Sequence, residues 1–397
     1  MRNDVTTRVG RGLLAWVLAA VVVRAVLLQP EQCWTPTADE LRRSVDETVA
    51  WMVRTQQPDG RWIYRYDAAE DRDLGVYEWV RHSGLIMSLY QAQTAGYAEA
   101  GEAADRGLDA VRASFVRHDD WVAVGGSSRR SHVATGATAL LLAGLVERRE
   151  ATGDTQHDEL MADMARFLVG QVEPNGAVAA YWDPATRAPV PDTYSPFFTG
   201  EAFWALARMH TAFPDAGWDE PARRIAHYLA TERDDAEDRF PDIPDHWASY
   251  GLAEMANWPG EEGGAALDDD LRAYARHVAE LESMQVRWDS TRTNSTWSRL
   301  TRGAQALGAG VGTIGEALTM LWRTPELRTD AVHERAMCAV AVLIDRQIDA
   351  EEALAYPNPD MVRGTWLTGD VTQIDDQQHV LSAVLNLLEN LEMRGET

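Results

Sequence analysis

The sequence predicts an all-α protein: a closed (α/α)6 toroid of six helical hairpins, preceded by an N-terminal hydrophobic helix. Three observations predict this fold. Strand patterns are nearly absent, six amphipathic segments recur along the chain, and segments rich in small apolar residues alternate with them. Such a ring places the N-terminal ends of its inner helices around one shared cavity.

The N-terminal segment combines a basic start with an apolar stretch. Arg2, Arg8 and Arg11 precede an apolar run over residues 13–28, which Arg24 interrupts. A membrane-crossing helix needs about 20 apolar residues, and this run is shorter. We interpret residues 1–33 as a signal anchor or a cleaved signal peptide, so that residues 34–397 form an exported toroid domain, either membrane-anchored by this one helix or secreted. A soluble helix packed on the domain is the alternative.

The outer helices of the ring are predicted from amphipathic periodicity. Leu41, Val45, Val49 and Met52 recur along one face of a segment whose opposite face is charged. Such a segment buries one stripe and exposes the other. Outer helices are predicted near residues 38–57, 101–116, 155–172, 219–232, 268–286 and 328–348.

The inner helices are predicted from segments that are small and apolar on most sides. The segment 135–146 carries Ala137, Ala139, Ala143 and Gly144, so it can be buried all round. Each inner segment follows a short polar or Gly-rich start. These starts lie at residues 81–85, 131–136, 194–201, 245–251, 310–316 and 375–379.

Composition excludes several classes of function. The 397 residues include 62 acidic and 37 basic side chains, and the net charge of −25 argues against a nucleic-acid partner. Every basic residue is Arg, which excludes Schiff-base and P-loop mechanisms that need Lys. Cys33 and Cys338 are the only cysteines, and we interpret both as inert, without a disulfide framework or a thiolate metal site. No metal or cofactor is expected.

Two features of the chain resemble known toroids. The pattern Gln-x-x-Asp-Gly-x-Trp at residues 56–62 is similar to the repeat of terpenoid-cyclase-like proteins. The layout of residues 38–392 resembles the six-hairpin glycan-processing superfamily, which includes uronyl C5-epimerases, polysaccharide lyases and α/α-toroid glycosidases. The resemblance implies the toroid fold and a carbohydrate substrate.

Candidate catalytic residues lie at the starts of the predicted inner helices. Asp376 or Glu316 is expected to act as carboxylate base or nucleophile. His246, His379 or Tyr250 is expected to donate the proton.

Candidate binding residues surround the same helix starts. Arg81 is expected to clamp a sugar carboxylate, unless it only pairs with Glu78. Asp245 is expected to bind substrate or to cap its helix, and the aromatic candidates stack on sugar or pack in the core. The full set of binding candidates is Arg81, His82, Glu78, Tyr194, Glu201, Asp245, Trp247, Asp375 and Trp366.

The sequence thus predicts an exported enzyme that processes an acidic oligo- or polysaccharide by general acid/base chemistry. Hydrolysis across two carboxylates and proton abstraction next to a uronate carboxylate both remain open, as the resemblance implies. A non-catalytic toroid of the cell envelope, which holds a glycan or a partner, is the alternative. An isoprenoid or lipid enzyme is the third. The oligomeric state is left open.

Overall fold

The computed structural model describes residues 2–26, 33–75, 77–126, 132–237, 244–259 and 266–396. Ser131, where the second inner segment was predicted to start, and residues 27–32 of the predicted N-terminal segment lie outside these ranges. The outer helices are α2 (Ala38–Thr55), α4 (Ala98–Arg112), α6 (Asp158–Gln171), α8 (Asp219–Thr231), α11 (Asp269–Asp289) and α14 (Asp330–Ile344). The inner helices are α3 (Trp79–Thr94), α5 (Thr135–Thr152), α7 (Phe198–Ala212), α10 (His246–Met255), α13 (Ala309–Leu321) and α16 (Ile374–Arg394).

The six inner helices form a closed ring. Each packs on the next in the order α3, α5, α7, α10, α13 and α16, and α16 packs back on α3. Outer helices alternate with inner ones along the chain, and α14 of the last hairpin contacts α2 of the first. The predicted toroid is therefore confirmed. The remaining described helices are α1 (Arg2–Val26), α9 (Arg233–Ala236), α12 (Thr296–Thr301) and α15 (Ala350–Ala353).

Small residues bring the inner helices close together. A methyl group built on Gly144 of α5 would lie 3.0 Å from the Cα of Met87 in α3, closer than such atoms pack. In α13, a methyl group on Gly312 would lie 2.8 Å from the Cβ of His379 in α16. The small-residue pattern therefore sets the width of the ring, and at Gly312 it sets the position of a candidate catalytic residue.

Short strands line the end of the ring where the inner helices begin. In the described part of the chain, the strands pair in three small sheets. The strands β5 and β8 lead directly into the inner helices α5 and α16. The β1–β8 pair joins the first and last hairpins, with Tyr66 opposite Thr372. These pairs fix where the inner helices start. The strands are β1 (Arg65–Asp67), β2 (Arg72–Asp73), β3 (Val116–Arg117), β4 (Val122–Ala123), β5 (Val133–Ala134), β6 (Tyr181–Asp183), β7 (Ala188–Pro189) and β8 (Val371–Gln373).

The two cysteines form a disulfide, so our interpretation of them as inert and unpaired is wrong. Cys33 lies just before α2, and Cys338 lies in α14, with 5.2 Å between their Cα atoms. The bond therefore links the first hairpin to the last. Because 305 residues separate the two positions, no local pattern in the sequence indicates the pairing.

The N-terminal helix α1 presents apolar side chains to solvent. Leu13, Trp16 and Val21 are all more than half exposed. Among the described residues, no helix combines the length and the apolar character needed to cross a bilayer.

Candidate active site

The cavity end of the ring is the end at which the six inner helices begin. A small cavity of about 50 Å³ opens there over the starts of α3, α5 and α7. It combines aromatic rings with a carboxylate and an imidazole, and ligand sites commonly have such a lining of aromatic side chains and a few polar groups. Its lining residues are Glu78, Trp79, Val80, Gly125, Gly126, His132, Ala134, Ala137, Tyr181 and Phe198.

Three candidate catalytic side chains meet at the starts of the other inner helices. Nδ1 of His379 in α16 lies 2.6 Å from Oε2 of Glu316 in α13. Nε2 of His246 in α10 lies 3.8 Å from the same oxygen. The two imidazole rings are in edge-to-face contact, with 5.1 Å between their centroids. All three residues are buried.

The two imidazoles differ in protonation although they are neighbours. Burial lowers the pKa of His246 well below its usual value, and the nearby His379 adds to this effect. Burial also acts against the charged form of His379, but its contact with the Glu316 carboxylate outweighs this and raises its pKa. Burial thus favours the neutral form of His246, whose two ring nitrogens have no hydrogen-bond partner. The imidazolium form of His379 is favoured beside Glu316, although burial also raises the pKa of that carboxyl group.

Tyr250 and Asn386 hold Glu316 from the opposite side. The Tyr250 hydroxyl donates to Oε1 of Glu316 over 3.0 Å, and Nδ2 of Asn386 donates to the Tyr250 oxygen over 2.8 Å. Burial raises the pKa of Tyr250 well above its usual value, so the hydroxyl keeps its proton. The sequence reasoning missed Asn386. Its signal was available: a polar residue in an apolar stretch of α16 needs a buried partner, as Glu316 does in α13.

Trp247 forms the wall beneath the imidazoles. Its ring stacks on Trp204 with 5.4 Å between centroids, and it lies 5.8 Å from the His379 ring and 4.5 Å from the His246 ring. Trp247 is almost fully buried, so it supports the two histidines and presents little of its face to a ligand.

Arg81 pairs with Asp375, not with Glu78 as the structural alternative proposed. Its Nε lies 2.9 Å from Oδ2 of Asp375, and its guanidinium also donates to the Tyr64 hydroxyl. Oδ1 of Asp375 lies 3.7 Å from Nε2 of His379. Arg81 therefore belongs to the His379 cluster, with its charge already matched by a carboxylate.

Asp376 points away from Asp375, into the packing between α13 and α16. Its Oδ1 accepts from the backbone N–H of Ala309 over 2.9 Å, at the start of α13. Burial raises its pKa to about 6. Gly308, at a φ of +45°, leaves no room for a side chain beside this carboxylate. The adjacent aspartates thus divide into one that joins the cluster and one that caps a helix.

Glu201 and Asp245 are both buried but have different surroundings. Oε2 of Glu201 has no hydrogen-bond partner, and burial raises the pKa of this carboxyl well above its usual value, with Asp245 and Asp375 adding to the shift. Asp245 caps α10 and lies 3.0 Å from Nη1 of Arg233. Burial raises the pKa of Asp245 to about 6. Burial therefore favours the protonated form of Glu201, whereas Asp245 is held by structural contacts.

The structure does not bring every candidate to the cluster. Glu78 lines the cavity, but His82 is fully buried, bonded to the Tyr77 hydroxyl and the Gly107 carbonyl, and burial lowers its pKa to about 4. Trp366 is fully buried and donates to the Leu343 carbonyl, so it presents no face to a sugar. Tyr194 is only partly buried and lies before α7.

The three central residues could also be considered as metal ligands, since their ligand atoms lie within 4.8 Å of one another. Two ligands on one tetrahedral zinc ion stand about 3.3 Å apart, given bond lengths near 2.0 Å. The 2.6 Å between Nδ1 of His379 and Oε2 of Glu316 is instead a hydrogen-bond distance. This arrangement fits a proton between the two atoms.

No protein-family model matches the chain, and no curated protein matches it in sequence. Solved structures do. A cellobiose 2-epimerase from Spirochaeta thermophila aligns with a TM-score of 0.64 at 14% identity, over 90% of this chain and 97% of that one. The chain has the (α/α)6 toroid fold.

Two further structures share this fold with different activities in their names. A GH76 α-mannanase from Bacteroides thetaiotaomicron aligns with a TM-score of 0.62 at 10% identity, over 89% of this chain and 97% of that one. An unsaturated glucuronyl hydrolase specific for heparin aligns with a TM-score of 0.60 at 13% identity, over 90% and 98%. The resemblance predicted from the sequence is thus confirmed for the fold, and the chemistry must be argued from the site.

Proposed function

We propose that the protein is a carbohydrate-processing enzyme that moves a proton at a carbon next to a sugar carbonyl, as epimerases and isomerases do. One observation carries the proposal: two buried imidazoles face each other at 5.1 Å, and their surroundings shift their pKa values in opposite directions. A site that pushes two titratable groups apart in this way supplies a base and an acid at the same pH.

In the proposed reaction, a ring nitrogen of His246 takes the proton from C2 of an open-chain sugar. The electron pair of the C–H bond moves into a C1–C2 double bond, and the C1 carbonyl oxygen takes the proton of His379, which gives a neutral enediol. Glu316 stabilises the imidazolium form of His379 before the transfer. The epimer forms if the enediol turns over, C2 takes the proton of His246 on its other face, and the C1 hydroxyl returns its proton to His379. The ketose forms if C1 takes the proton of His246 and the C2 hydroxyl gives its proton to His379.

A neutral sugar fits this site better than the acidic sugar expected from the sequence. The clamp role of Arg81 required an unpaired guanidinium, but Arg81 is bonded to Asp375 and Tyr64. An anionic substrate would also approach a protein of net charge −25. Cellobiose, named in the S. thermophila relative, is a neutral sugar.

Hydrolysis is the second candidate, and the buried carboxyl groups favour it. Glu201 is a neutral acid at the cavity end, and Asp376 has a pKa of about 6, the property that a glycosidase acid needs. Hydrolysis predicts that Glu201→Gln abolishes turnover, whereas proton transfer predicts that His246→Ala does so.

Proton NMR of a sugar panel in D2O tests the two candidates together. The panel contains cellobiose, mannose, an α-mannan oligosaccharide and a glucuronate-containing disaccharide. We expect exchange of the C2 proton for deuterium and a new epimer or ketose with one of the neutral sugars. New reducing ends without exchange at C2 would support hydrolysis and contradict proton transfer. No change in any sugar would support the binding-protein alternative.

We further propose that the toroid works outside the cytoplasm. Disulfides persist in oxidising compartments, and the Cys33–Cys338 bond follows an N-terminal segment with a basic start and an apolar run. Thiol titration of protein purified from the native host's envelope and cytoplasmic fractions tests this. We expect oxidised protein in the envelope or medium. Protein found in the cytoplasm with two free thiols would contradict export.

A further inference from the structure

A chain of buried hydrogen bonds runs from the far end of the ring to the Glu316–His379 pair. Nη2 of Arg323, just after α13, donates to Oδ1 of Asn386 over 3.2 Å. Nδ2 of Asn386 donates to the Tyr250 oxygen, and the Tyr250 hydroxyl donates to Oε1 of Glu316. Asn386, Tyr250 and Glu316 are each less than one tenth exposed, so water does not compete for these bonds.

The direction of every bond in this chain follows from its first member. A guanidinium has only donors, so the atom of Asn386 that faces Arg323 must be the amide oxygen. The NH2 group of Asn386 must then face Tyr250 and donate to it. The Tyr250 oxygen is occupied as an acceptor, and its proton points to Glu316.

The last member of this hydrogen-bond chain is Glu316, and the direction of the bonds determines which of its oxygens accepts from which donor. Glu316 accepts from Tyr250 at Oε1, which stabilises its ionised form and leaves Oε2 for His379. A carboxylate at Oε2 keeps the shared proton on Nδ1 of His379. The state of the acid at the cavity end thus depends on a donor at the opposite end of the ring.

We propose that Asn386 is a positioning residue: oriented by Arg323, it fixes the Tyr250 proton toward Glu316 and so keeps the shared proton on His379. The inference rests on the proposed function only where it treats His379 as the catalytic acid. The hydrogen-bond chain and the protonation of His379 can be measured without a substrate.

The residue Asn390 offers a matched control. It lies one turn beyond Asn386 on α16, is fully buried, and accepts from Nε of Arg323 over 2.9 Å. Its amide donates to the carbonyl of Thr319 instead of to Tyr250. A change at Asn390 therefore alters the charge beside Arg323, as a change at Asn386 does, but leaves the bonds from Asn386 through Tyr250 to Glu316 in place.

The test replaces each asparagine by its near-isosteric acid. In Asn386→Asp, the new carboxylate accepts from both Arg323 and Tyr250, so the Tyr250 proton turns away from Glu316. Glu316 then becomes the more basic partner and takes the shared proton. In Asn390→Asp, the direction of the chain is unchanged.

The readout is 15N NMR of histidine-labelled full-length protein across a pH titration, with the His379 signals assigned by a His379→Asn variant. Other charged and titratable groups that face the pair are Arg81 on α3, His246 on α10, and Asp375 and Asp376 on α16, and none of them is changed. In Asn386→Asp, we expect the pH at which His379 becomes doubly protonated to fall by about one unit, since a hydrogen bond to a charged group is worth roughly a tenfold change in proton affinity. Tyr250→Phe should shift it the same way, and Asn390→Asp should not.

Three outcomes would overturn the proposal. These are an unchanged midpoint in Asn386→Asp, an equal shift in both Asn→Asp variants, or a shift in Tyr250→Phe alone. Thermal melts followed by circular dichroism check that each variant is folded. If Asn386→Asp does not fold, Asn386→Leu, which removes the donor to Tyr250, replaces it and should shift the midpoint in the same direction. If no sugar reacts but the NMR titrations give the expected shifts, the proposed function is contradicted and the role of Asn386 in the hydrogen-bond chain still holds.

Discussion

The two ends of the inner ring use charge in opposite ways. We call the end at which the inner helices finish the closed end. There, three glutamates surround Arg208 of α7: Glu147, Glu150 and Glu254. At the cavity end, where the same helices begin, both nitrogens of His246 and one oxygen of Glu201 are buried without a hydrogen-bond partner. The first cluster surrounds a buried cation with three carboxylates, although Nε of Arg208 has no hydrogen-bond partner, whereas the second leaves buried titratable groups without a partner.

Helix geometry explains why the ends differ in this direction. The carboxyl ends of helices carry partial negative charge, which favours Arg, and their amino ends carry partial positive charge, which favours carboxylates and disfavours an imidazolium. Arg208 and Arg323 lie at the first kind of end, and Glu201, Asp376 and His246 at the second. We therefore expect substitutions at the closed end to lower the stability of the fold, and substitutions at the cavity end to lower the proposed activity.

The largest effect is expected from His246→Ala at the cavity end. Loss of the proposed base should lower kcat/KM for proton exchange by about 10²–10⁴-fold, while the melting temperature stays close to that of the native chain. The measurement is the rate of deuterium incorporation at C2 of the sugar.

His333→Ala is the matched control for this prediction. His333 lies on the outer helix α14, is also buried, also has an unbonded ring nitrogen, and also places Nε2 3.8 Å from a glutamate, Glu396. Its replacement should leave turnover unchanged. Equal losses in both variants would show that His246 acts only through the fold.

The next largest effect is expected at the closed end. Arg208→Leu leaves three glutamates without their shared partner, so the free energy of unfolding should fall by about 3–5 kcal/mol. Urea unfolding measures this change. The remaining folded protein should turn over at the native rate, because Arg208 does not touch the His379 cluster.

Arg224→Leu provides the comparison for Arg208. Arg224 pairs with Glu220 on α8, and the two side chains are 34% and 69% exposed, more than those of Arg208 and Glu147. The change in unfolding free energy there should stay within about 0.5 kcal/mol. A similar loss in both variants would contradict the distinction between the closed end and the surface.

The smallest effect concerns a glycine that positions the acid. Gly312→Ala places a methyl group 2.8 Å from the Cβ of His379, which must then move away from Glu316. We expect about a tenfold loss of kcat/KM. Gly170→Ala, in α6 with nothing within 4 Å of the new methyl group, should retain full activity and gain about 0.5–1 kcal/mol of stability. Full activity in Gly312→Ala would show that the helix spacing does not position His379.

The sequence allowed the fold to be predicted because a repeat carries the same information six times. Each hairpin pairs an amphipathic segment with a small-residue segment, so errors at single positions, such as a helix boundary, do not change the architecture. The Cys33–Cys338 bond has no such redundancy. It depends on where two positions 305 residues apart meet in space.

The site was predictable in part for the same reason. Polar groups at the starts of inner helices converge in any such ring, which is how Glu316, His379, His246 and Tyr250 could be named together. The pairing of Arg81 could not be derived in the same way. The sequence indicates Glu78, which lies three residues away, whereas the observed partner Asp375 lies far along the chain and comes near only when the ring closes. The buried position of Trp366 could not be predicted either, because a loop with the same composition can place its tryptophan in the core or against a ligand.

The most direct test of the central claim is the pH dependence of kcat/KM for C2 proton exchange, in the native chain and in Glu316→Gln. His379 must be protonated to act, and its pKa is raised by the carboxylates Glu316, Asp375 and Asp376, so turnover should persist at neutral pH and fall as pH rises through that raised value. His246 must be neutral, and its pKa is lowered, so no loss should occur as pH falls through 6.5. In Glu316→Gln, the alkaline limb should move to lower pH. A native profile that instead rises through 6.5, with no alkaline limb, would contradict the assignment of acid and base.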